Sequence, residues 1–149
     1  MNLYPPATNS NKNLEDRLIA HEGMKRFAYK DTKGYITAGI GRCLETGIGK
    51  GLTVEECLYL LRNDIEDFRQ QLSVHNWFTI QDTVRQDALV ELAFNMGTAN
   101  LLKFKRTIAA LIKKDYVVAS AELFDSLWAT QVGKNRVADI RKRIETGRY

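Results

Sequence analysis

Two acidic residues, Glu22 and Asp31, lie nine positions apart where the local character of the sequence changes. Glu22 closes a stretch with helical apolar spacing, and Gly23 directly after it is a common helix terminator. A carboxyl group at that end faces the negative pole of the helix dipole, which favours its protonated form. Glycoside hydrolysis needs one carboxylic acid and one carboxylate. The pair therefore suggests Glu22 as a general acid and Asp31 as the second carboxylate.

Each of these residues also has a simpler explanation. Glu22 could be a solvated side chain at a helix end. The segment Asp31-Thr32-Lys33-Gly34 is typical of a turn. Thr37 suits a strand, although its hydroxyl could also hold a water molecule against Asp31. The residues alone leave both interpretations open.

The elements that must position these residues begin with a helix over 14–22, for which Asn13 is the expected N-cap. Its apolar face consists of Leu14, Leu18 and Ile19. Residues 24–51 contain six of the ten glycines, interleaved with aromatic and β-branched residues. This composition predicts a small twisted antiparallel sheet, with Lys33-Gly34 in a hairpin turn.

The rest of the sequence predicts helices. Thr53 and Glu56 form a capping box at the start of a helix of about 20 residues. Its apolar positions recur every three or four residues: Val54, Cys57, Leu58, Leu61, Ile65, Phe68 and Leu72. Residues 82–96 are apolar on most sides, which predicts a core helix ended by Gly97. Further helices are expected over 106–113, 115–130 and 135–145.

Together these elements predict an α+β, mostly helical fold. Residues 1–12 are expected to form an N-terminal arm and 13–149 a single domain. Within that domain we expect a small mixed lobe (13–52), a connecting helix (53–73) and a helical lobe (74–149). A cleft between the lobes is the expected ligand site.

Composition narrows the classes of function. The chain has 149 residues and a formal net charge of +4, and it carries no nucleic-acid-reading motif. Cys43 and Cys57 fit no metal-ligand pattern, so we expect both to be reduced, with Cys57 on the buried face of its helix. No metal or cofactor is expected. No secretory signal or membrane-spanning segment is visible, which predicts synthesis in the cytoplasm.

One run of residues resembles a known family. The run from Glu22-Gly23 through Tyr29-Lys30-Asp31-Thr32 and Gly34-Tyr35 to Thr37 and Gly39-Ile40-Gly41 is similar to the active-site segment of the T-even phage lysozymes, the phage-type muramidases. Glu22, Asp31 and Thr37 stand at the family spacing of nine and then six. The resemblance covers about residues 13–149. Its later parts are 53–72, Ala93–Gly97, Trp128, Gln131, Asn135-Arg136, Thr146-Gly147 and Tyr149.

The resemblance implies a lysozyme-like fold and an inverting muramidase. Glu22 would protonate the glycosidic oxygen, while Asp31 and Thr37 would position and activate the attacking water. Arg136 would pair with Glu22. The implied substrate-binding residues are Tyr29, Gly41, Phe94, Asn95 and Arg136. The implied partner is bacterial peptidoglycan, with neither nucleic acid nor stable membrane insertion. The family implies a monomer that reaches the wall after a holin has permeabilised the membrane.

The chain departs from the family pattern at His21, where an acid is common, at Arg42, where histidine is familiar, and at Asn95, where glutamine is familiar. The connection between sheet and long helix is also shorter. Two other functions stay open. A lytic transglycosylase needs an acid but no water-positioning carboxylate, so Asp31 and Thr37 favour hydrolysis. A non-catalytic wall-binding domain would not need these residues.

Overall fold

The structure is a computed structural model that describes residues 9–125 and 131–149. Within these residues there are eight helices and one three-stranded sheet. In chain order they are α1 (Asn9–Glu22), β1 (Lys25–Lys30), β2 (Ile36–Gly39), β3 (Arg42–Cys43), α2 (Val54–Ser73), α3 (Asn76–Thr79), α4 (Thr83–Met96), α5 (Thr98–Leu101), α6 (Lys105–Ile112), α7 (Tyr116–Phe124) and α8 (Lys134–Thr146). This confirms the mostly helical α+β class.

The chain divides into two compact units, Met1–Leu60 and Leu61–Tyr149, called here the first and second units. The boundary between them falls inside α2. The first unit therefore contains α1, the sheet and the first turns of α2, and the second unit contains the remaining helices.

Helix α1 begins at Asn9, five residues earlier than predicted. Asn13 therefore lies inside the helix and is not its N-cap. The segment from 9 to 13 contains neither glycine nor proline, so no strong helix breaker stops the helix before residue 14. Its end is as predicted, because Gly23 adopts a left-handed φ of +71° and donates its N–H to the Ile19 carbonyl at 2.9 Å.

The predicted antiparallel sheet is confirmed, with the order β1-β2-β3. The Asp31 N–H donates to the Tyr35 carbonyl at 2.9 Å, and the Asp31 backbone carbonyl accepts the Gly34 N–H at 2.9 Å. Gly34 has φ +85°, a conformation that a three-residue hairpin loop requires at this position. The predicted turn at Lys33-Gly34 is therefore present.

The capping box of α2 is confirmed. The Glu56 N–H donates to Thr53 Oγ1 at 3.2 Å, and the Thr53 N–H donates to Glu56 Oε2 at 2.8 Å. The helix has 20 residues, and Leu72 near its end is buried. The placement of Cys57 on a buried face was wrong: its side chain is exposed. The apolar side chains around it, such as Leu58 and Leu61, are exposed as well, so this part of the helix surface is not covered.

The second unit is built around α4, the predicted core helix. Asp82 caps its start by accepting the Arg85 N–H at 3.1 Å, and Gly97 ends it with φ +83°. The largest fully buried apolar side chains around it are Leu72, Phe78, Leu89, Leu92, Leu101, Leu111, Leu123, Ile140 and Ile144. Helices α6 and α8 lie where helices were predicted, whereas α7 ends at Phe124, with Asp125 as its C-cap, before the predicted end at 130. Residues 126–130 of the predicted 115–130 helix, including Trp128, lie outside the described residues.

Arg85 ties the start of α4 to the end of α8. Its Nε donates to the Ile144 carbonyl at 2.8 Å and its Nη2 to the Glu145 carbonyl at 3.1 Å. These are carbonyls of the last turn, which have no partner within a helix. Gly147 follows with φ +66°, and a Cβ there would lie 2.5 Å from Arg85 Nη1. The left-handed φ favours glycine at this position, and any other residue would also force the Arg85 guanidinium to shift.

None of the described helices is both long enough and apolar enough to cross a membrane. Cys43 and Cys57 are not bonded to each other, and their reduced state stays a prediction.

Candidate active site

Glu22 is the last residue of α1, and its side chain is exposed to solvent. The backbone of Gly41 lies directly beside its carboxyl group. A Cβ atom at position 41 would lie 3.2 Å from Glu22 Oε2 and 3.6 Å from Glu22 Cδ. Among the residues that the structure describes, no hydrogen bond or ion pair holds the Glu22 carboxyl group. Its surroundings are thus set by the helix end and by the turn between β2 and β3.

Asp31 is the first residue of the β1–β2 turn, and its carboxylate is held by backbone amides. Oδ1 accepts the Lys33 N–H at 2.8 Å and the Tyr35 N–H at 2.9 Å. Oδ2 accepts no hydrogen bond from the described part of the chain. One oxygen therefore fixes the orientation of the carboxylate, while the other has lone pairs available for a water molecule.

Thr37 is buried on β2, with 3% of its surface exposed. It pairs with Tyr29 on β1 and with Cys43 on β3. Its hydroxyl donates to the Tyr35 carbonyl at 3.3 Å, so both oxygen lone pairs can still accept hydrogen bonds. Tyr29, a predicted substrate-binding residue, is half-buried opposite Thr37.

The first unit thus contains the three predicted catalytic residues and two of the predicted binding residues, Tyr29 and Gly41. Glu22 comes from a helix end, Asp31 from a hairpin turn and Thr37 from the central strand. Short segments of chain join all three. Their assigned catalytic roles stay predictions.

Arg42 forms a bidentate ion pair that sequence reasoning missed. Its Nη1 donates to Glu56 Oε2 at 2.9 Å, and its Nη2 donates to Glu56 Oε1 at 2.8 Å. Nη1 also donates to the Gly51 carbonyl at 2.9 Å. The hydrogen bond from Arg42, followed by the one from the Thr53 amide, lowers the pKa of the Glu56 carboxyl. The available signal was Arg42 itself, at a position where the family pattern has histidine.

The remaining predicted binding residues belong to the second unit. Phe94 is exposed in the last turn of α4, and its ring centroid lies 5.8 Å from that of Phe68. Asn95 follows it and is also exposed. Arg136 lies in the first turn of α8, where its Nε is 3.3 Å from Glu91 Oε1. The predicted pair of Arg136 with Glu22 joins the two units, and it stays a prediction.

Glu91 is a second residue that sequence reasoning missed. Besides Arg136 it pairs with Arg143, which also contacts Asp139 Oδ2 at 2.6 Å. Burial lowers the pKa of Arg143, but the hydrogen bonds and charges of Glu91 and Asp139 outweigh it, so the pKa is raised. The sequence signal was a glutamate within the apolar stretch of α4, since a charge there needs partners.

Two surface cavities of about 340 and 280 Å³ lie at α6 and α7 of the second unit, around Arg106 and Glu122. None of the predicted catalytic residues lines either of them. In residues 9–125 and 131–149, no cluster of three or more His, Cys, Asp or Glu side chains could hold a metal ion.

Comparison with known proteins gives consistent similarities. A family model described as phage lysozyme matches residues 19–146. The chain is 31% identical over 166 aligned positions to probable T4-type lysozyme 2 of Dictyostelium discoideum, covering 90% of this chain and 94% of that protein. It is 28% identical to probable T4-type lysozyme 1 of the same organism, with the same coverage.

The chain is also 28% identical to the pre-baseplate central spike protein Gp5 of Enterobacteria phage T4. That alignment covers 96% of this chain but only 29% of the spike protein. The similarity is therefore confined to one part of a much longer protein.

Proposed function

The chain belongs to the phage lysozyme family, and we propose from this that it is a muramidase. It hydrolyses the β-1,4 bond between N-acetylmuramic acid and N-acetylglucosamine in bacterial peptidoglycan. The observation that carries the proposal is the arrangement of the first unit. Glu22 ends α1 beside Gly41, which has no side chain. Asp31 is held by two backbone amides, and its second carboxylate oxygen is available to a water molecule.

In the proposed reaction Glu22 is the general acid. Its carboxyl proton moves to the glycosidic oxygen as the bond between that oxygen and the anomeric carbon breaks. Positive charge then develops on the sugar ring, as is typical of glycoside hydrolysis. The Gly41 backbone leaves room for the Glu22 carboxyl group.

Asp31 and Thr37 supply the water. Oδ2 of Asp31 accepts a proton from a water molecule whose oxygen attacks the anomeric carbon from the face opposite the leaving group. Thr37 orients this water through its hydroxyl oxygen. Attack from the opposite face inverts the anomeric configuration, and it requires space for a water between sugar and carboxylate.

The proposed substrate contacts follow from side-chain chemistry. The exposed ring of Phe94 and the half-buried ring of Tyr29 offer apolar faces to sugar rings, and the amide of Asn95 can both donate and accept hydrogen bonds. Arg136 is proposed to contact Glu22 or the substrate from the second unit.

The proposed setting is lysis of a bacterial host. The protein is made in the cytoplasm and acts as a monomer on the wall once a holin has permeabilised the membrane. This setting rests on the family resemblance.

Digestion of purified peptidoglycan in ¹⁸O-labelled water, followed by mass spectrometry, tests the proposal. We expect wild type to release muropeptides whose new reducing end carries one ¹⁸O atom. Glu22→Gln should lower the rate by at least about 10²-fold. Glu15→Gln makes the same chemical change at another exposed position of α1, and it should keep full activity.

Other outcomes would contradict the proposal. Anhydro-muropeptides without the label would indicate a lytic transglycosylase. Near-wild-type turnover by Glu22→Gln would remove Glu22 as the acid. Wall binding without products from the wild type would indicate a non-catalytic domain.

A further inference from the structure

Arg42 directly follows Gly41, the residue whose backbone lies against the Glu22 carboxyl group. Gly41 occupies the turn between β2 and β3, and a Cβ there would lie 3.2 Å from Glu22 Oε2. Any shift of this backbone therefore changes the space that the Glu22 carboxyl group can occupy. Whatever fixes the turn also fixes the immediate surroundings of the proposed acid.

The turn and the strand after it are held by a short ladder, which the Leu44 N–H extends by donating to the Ile36 carbonyl at 2.7 Å. Gly39 and Gly41 both have positive φ, +65° and +72°, and glycine keeps more backbone freedom than any other residue. Strand β3 has only two residues, and it pairs with β2 at only two positions. A strand this short contributes few hydrogen bonds to hold the preceding turn.

The Arg42 side chain adds a further connection between this strand and the next element. Its guanidinium binds both carboxylate oxygens of Glu56 at 2.8–2.9 Å and the Gly51 carbonyl at 2.9 Å. Bidentate arginine–carboxylate pairs fix orientation as well as distance. Glu56 is itself held, because its Oε2 also accepts the Thr53 N–H in the capping box. Arg42 thus connects β3 to the capped start of α2.

We propose that Arg42 is a positioning residue for Glu22. It acts through the backbone of Gly41 and does not touch the substrate. This inference rests on the proposed muramidase activity. It predicts that loss of the Arg42–Glu56 pair misplaces the proton donor while the rest of the substrate-binding surface stays intact. The turnover number should then fall by a larger factor than the Michaelis constant rises, since of the proposed substrate-binding residues the pair acts only on Gly41.

Two variants break the pair from opposite sides. Arg42→Ala removes the guanidinium. Glu56→Gln removes the charge but keeps an oxygen for the capping box, in which glutamine is an accepted residue. We expect each to lower kcat about tenfold, since small misplacements of catalytic groups can cost up to about 10²-fold. Arg42→Lys should retain more kcat than Arg42→Ala but less than wild type, because an ammonium group cannot bind both carboxylate oxygens of Glu56 in the same way.

Thr53→Ala is the matched control. It removes the other half of the capping box, the acceptor of the Glu56 N–H, and leaves the Arg42–Glu56 pair in place. The lost cap should lower the unfolding temperature by about 2–4 °C without changing kcat. The double variant Arg42→Ala/Glu56→Gln should be no slower than either single variant, because both remove the same interaction.

The assays are kcat and KM on soluble peptidoglycan fragments, and a pH–rate profile of kcat, with circular dichroism to confirm folding. Wild-type kcat in Arg42→Ala and Glu56→Gln would overturn the inference. An equal loss of kcat in Thr53→Ala would also overturn it, since general destabilisation would then explain the effect. If Arg42→Ala does not fold, the kcat values of Glu56→Gln and Arg42→Lys decide whether the pair positions Glu22. None of these results alters the comparison of wild type with Glu22→Gln, which tests the proposed function separately.

Discussion

Replacing Gly41 by alanine has two effects, a close contact with the Glu22 carboxyl group and a strained backbone. The new Cβ would lie 3.2 Å from Glu22 Oε2, which is closer than ordinary van der Waals contact, whereas its distance of 3.7 Å from Glu22 Cγ is an ordinary contact. The carboxyl group must therefore move by a few tenths of an ångström. The φ of +72° at this position adds a backbone cost of about 1–2 kcal/mol for any residue with a Cβ.

Gly39→Ala carries the backbone cost without the steric one. Its φ is +65°, and nothing lies within 4 Å of the position of its Cβ. Both variants should thus lose about 1–2 kcal/mol of unfolding free energy in urea titrations. Only Gly41→Ala should also lose activity. A shift of the donor that raises the barrier by about 1.4–2.7 kcal/mol lowers kcat roughly 10- to 100-fold.

Measurement of kcat and KM for both variants on the same soluble substrate checks this reasoning. Gly41 is also a proposed substrate-binding position, and a contact of that kind would appear as a raised KM at constant kcat. Equal losses of kcat in the two variants would show that backbone strain, and not contact with Glu22, is responsible. Full activity of Gly41→Ala would refute the reasoning that a Cβ at position 41 displaces the Glu22 carboxyl group and so slows the reaction.

Two further predictions concern the stability of the second unit. Thr107 is buried, and its Oγ1 has no hydrogen-bond partner in the described residues. Thr107→Val should therefore raise the unfolding free energy by about 1 kcal/mol in urea titrations, and an unchanged or lower value would show that the hydroxyl is satisfied. Burial raises the pKa of Asp87, but hydrogen bonds from Tyr149 and Arg69 outweigh it and the pKa is lowered. Asp87 thus stabilises the fold above its ordinary value of 3.8 and loses this effect as the pH falls through its lower folded pKa. The stability difference between wild type and Asp87→Asn should shrink over that acidic range, and a difference independent of pH would contradict this assignment.

Local patterns in the sequence predicted most of the elements that position the site. The Thr53–Glu56 capping box, the glycine after Glu22 and the Asp31–Gly34 turn each depend on residues within four positions of one another. Such interactions leave a direct signature in sequence. The start of α1 was placed too late because asparagine at position 13 is a good N-cap residue but also fits inside a helix.

What the sequence did not reveal depends on long-range contacts or on very short elements. Arg42 and Glu56 are 14 residues apart, and Arg85 and Ile144 are 59 apart, so no periodicity links them. Strand β3 and the four-residue helices α3 and α5 are too short for a hydrophobic pattern to develop. The residue types and positions of Glu22, Asp31 and Thr37 suggested catalytic roles but fitted structural roles as well, and the family resemblance favoured the catalytic ones.

The hydrogen bonds of Asp31 have a consequence for how mutations at this position would be tolerated. Its Oδ1 closes the turn by accepting the Lys33 and Tyr35 amides, and the side-chain oxygen of asparagine can accept the same two bonds. Folding therefore has little preference between the acid and its amide here, whereas the proposed reaction depends on the negative charge. A selection that reports only folded protein would accept asparagine at position 31, so the loss would be visible only in an assay of wall cleavage.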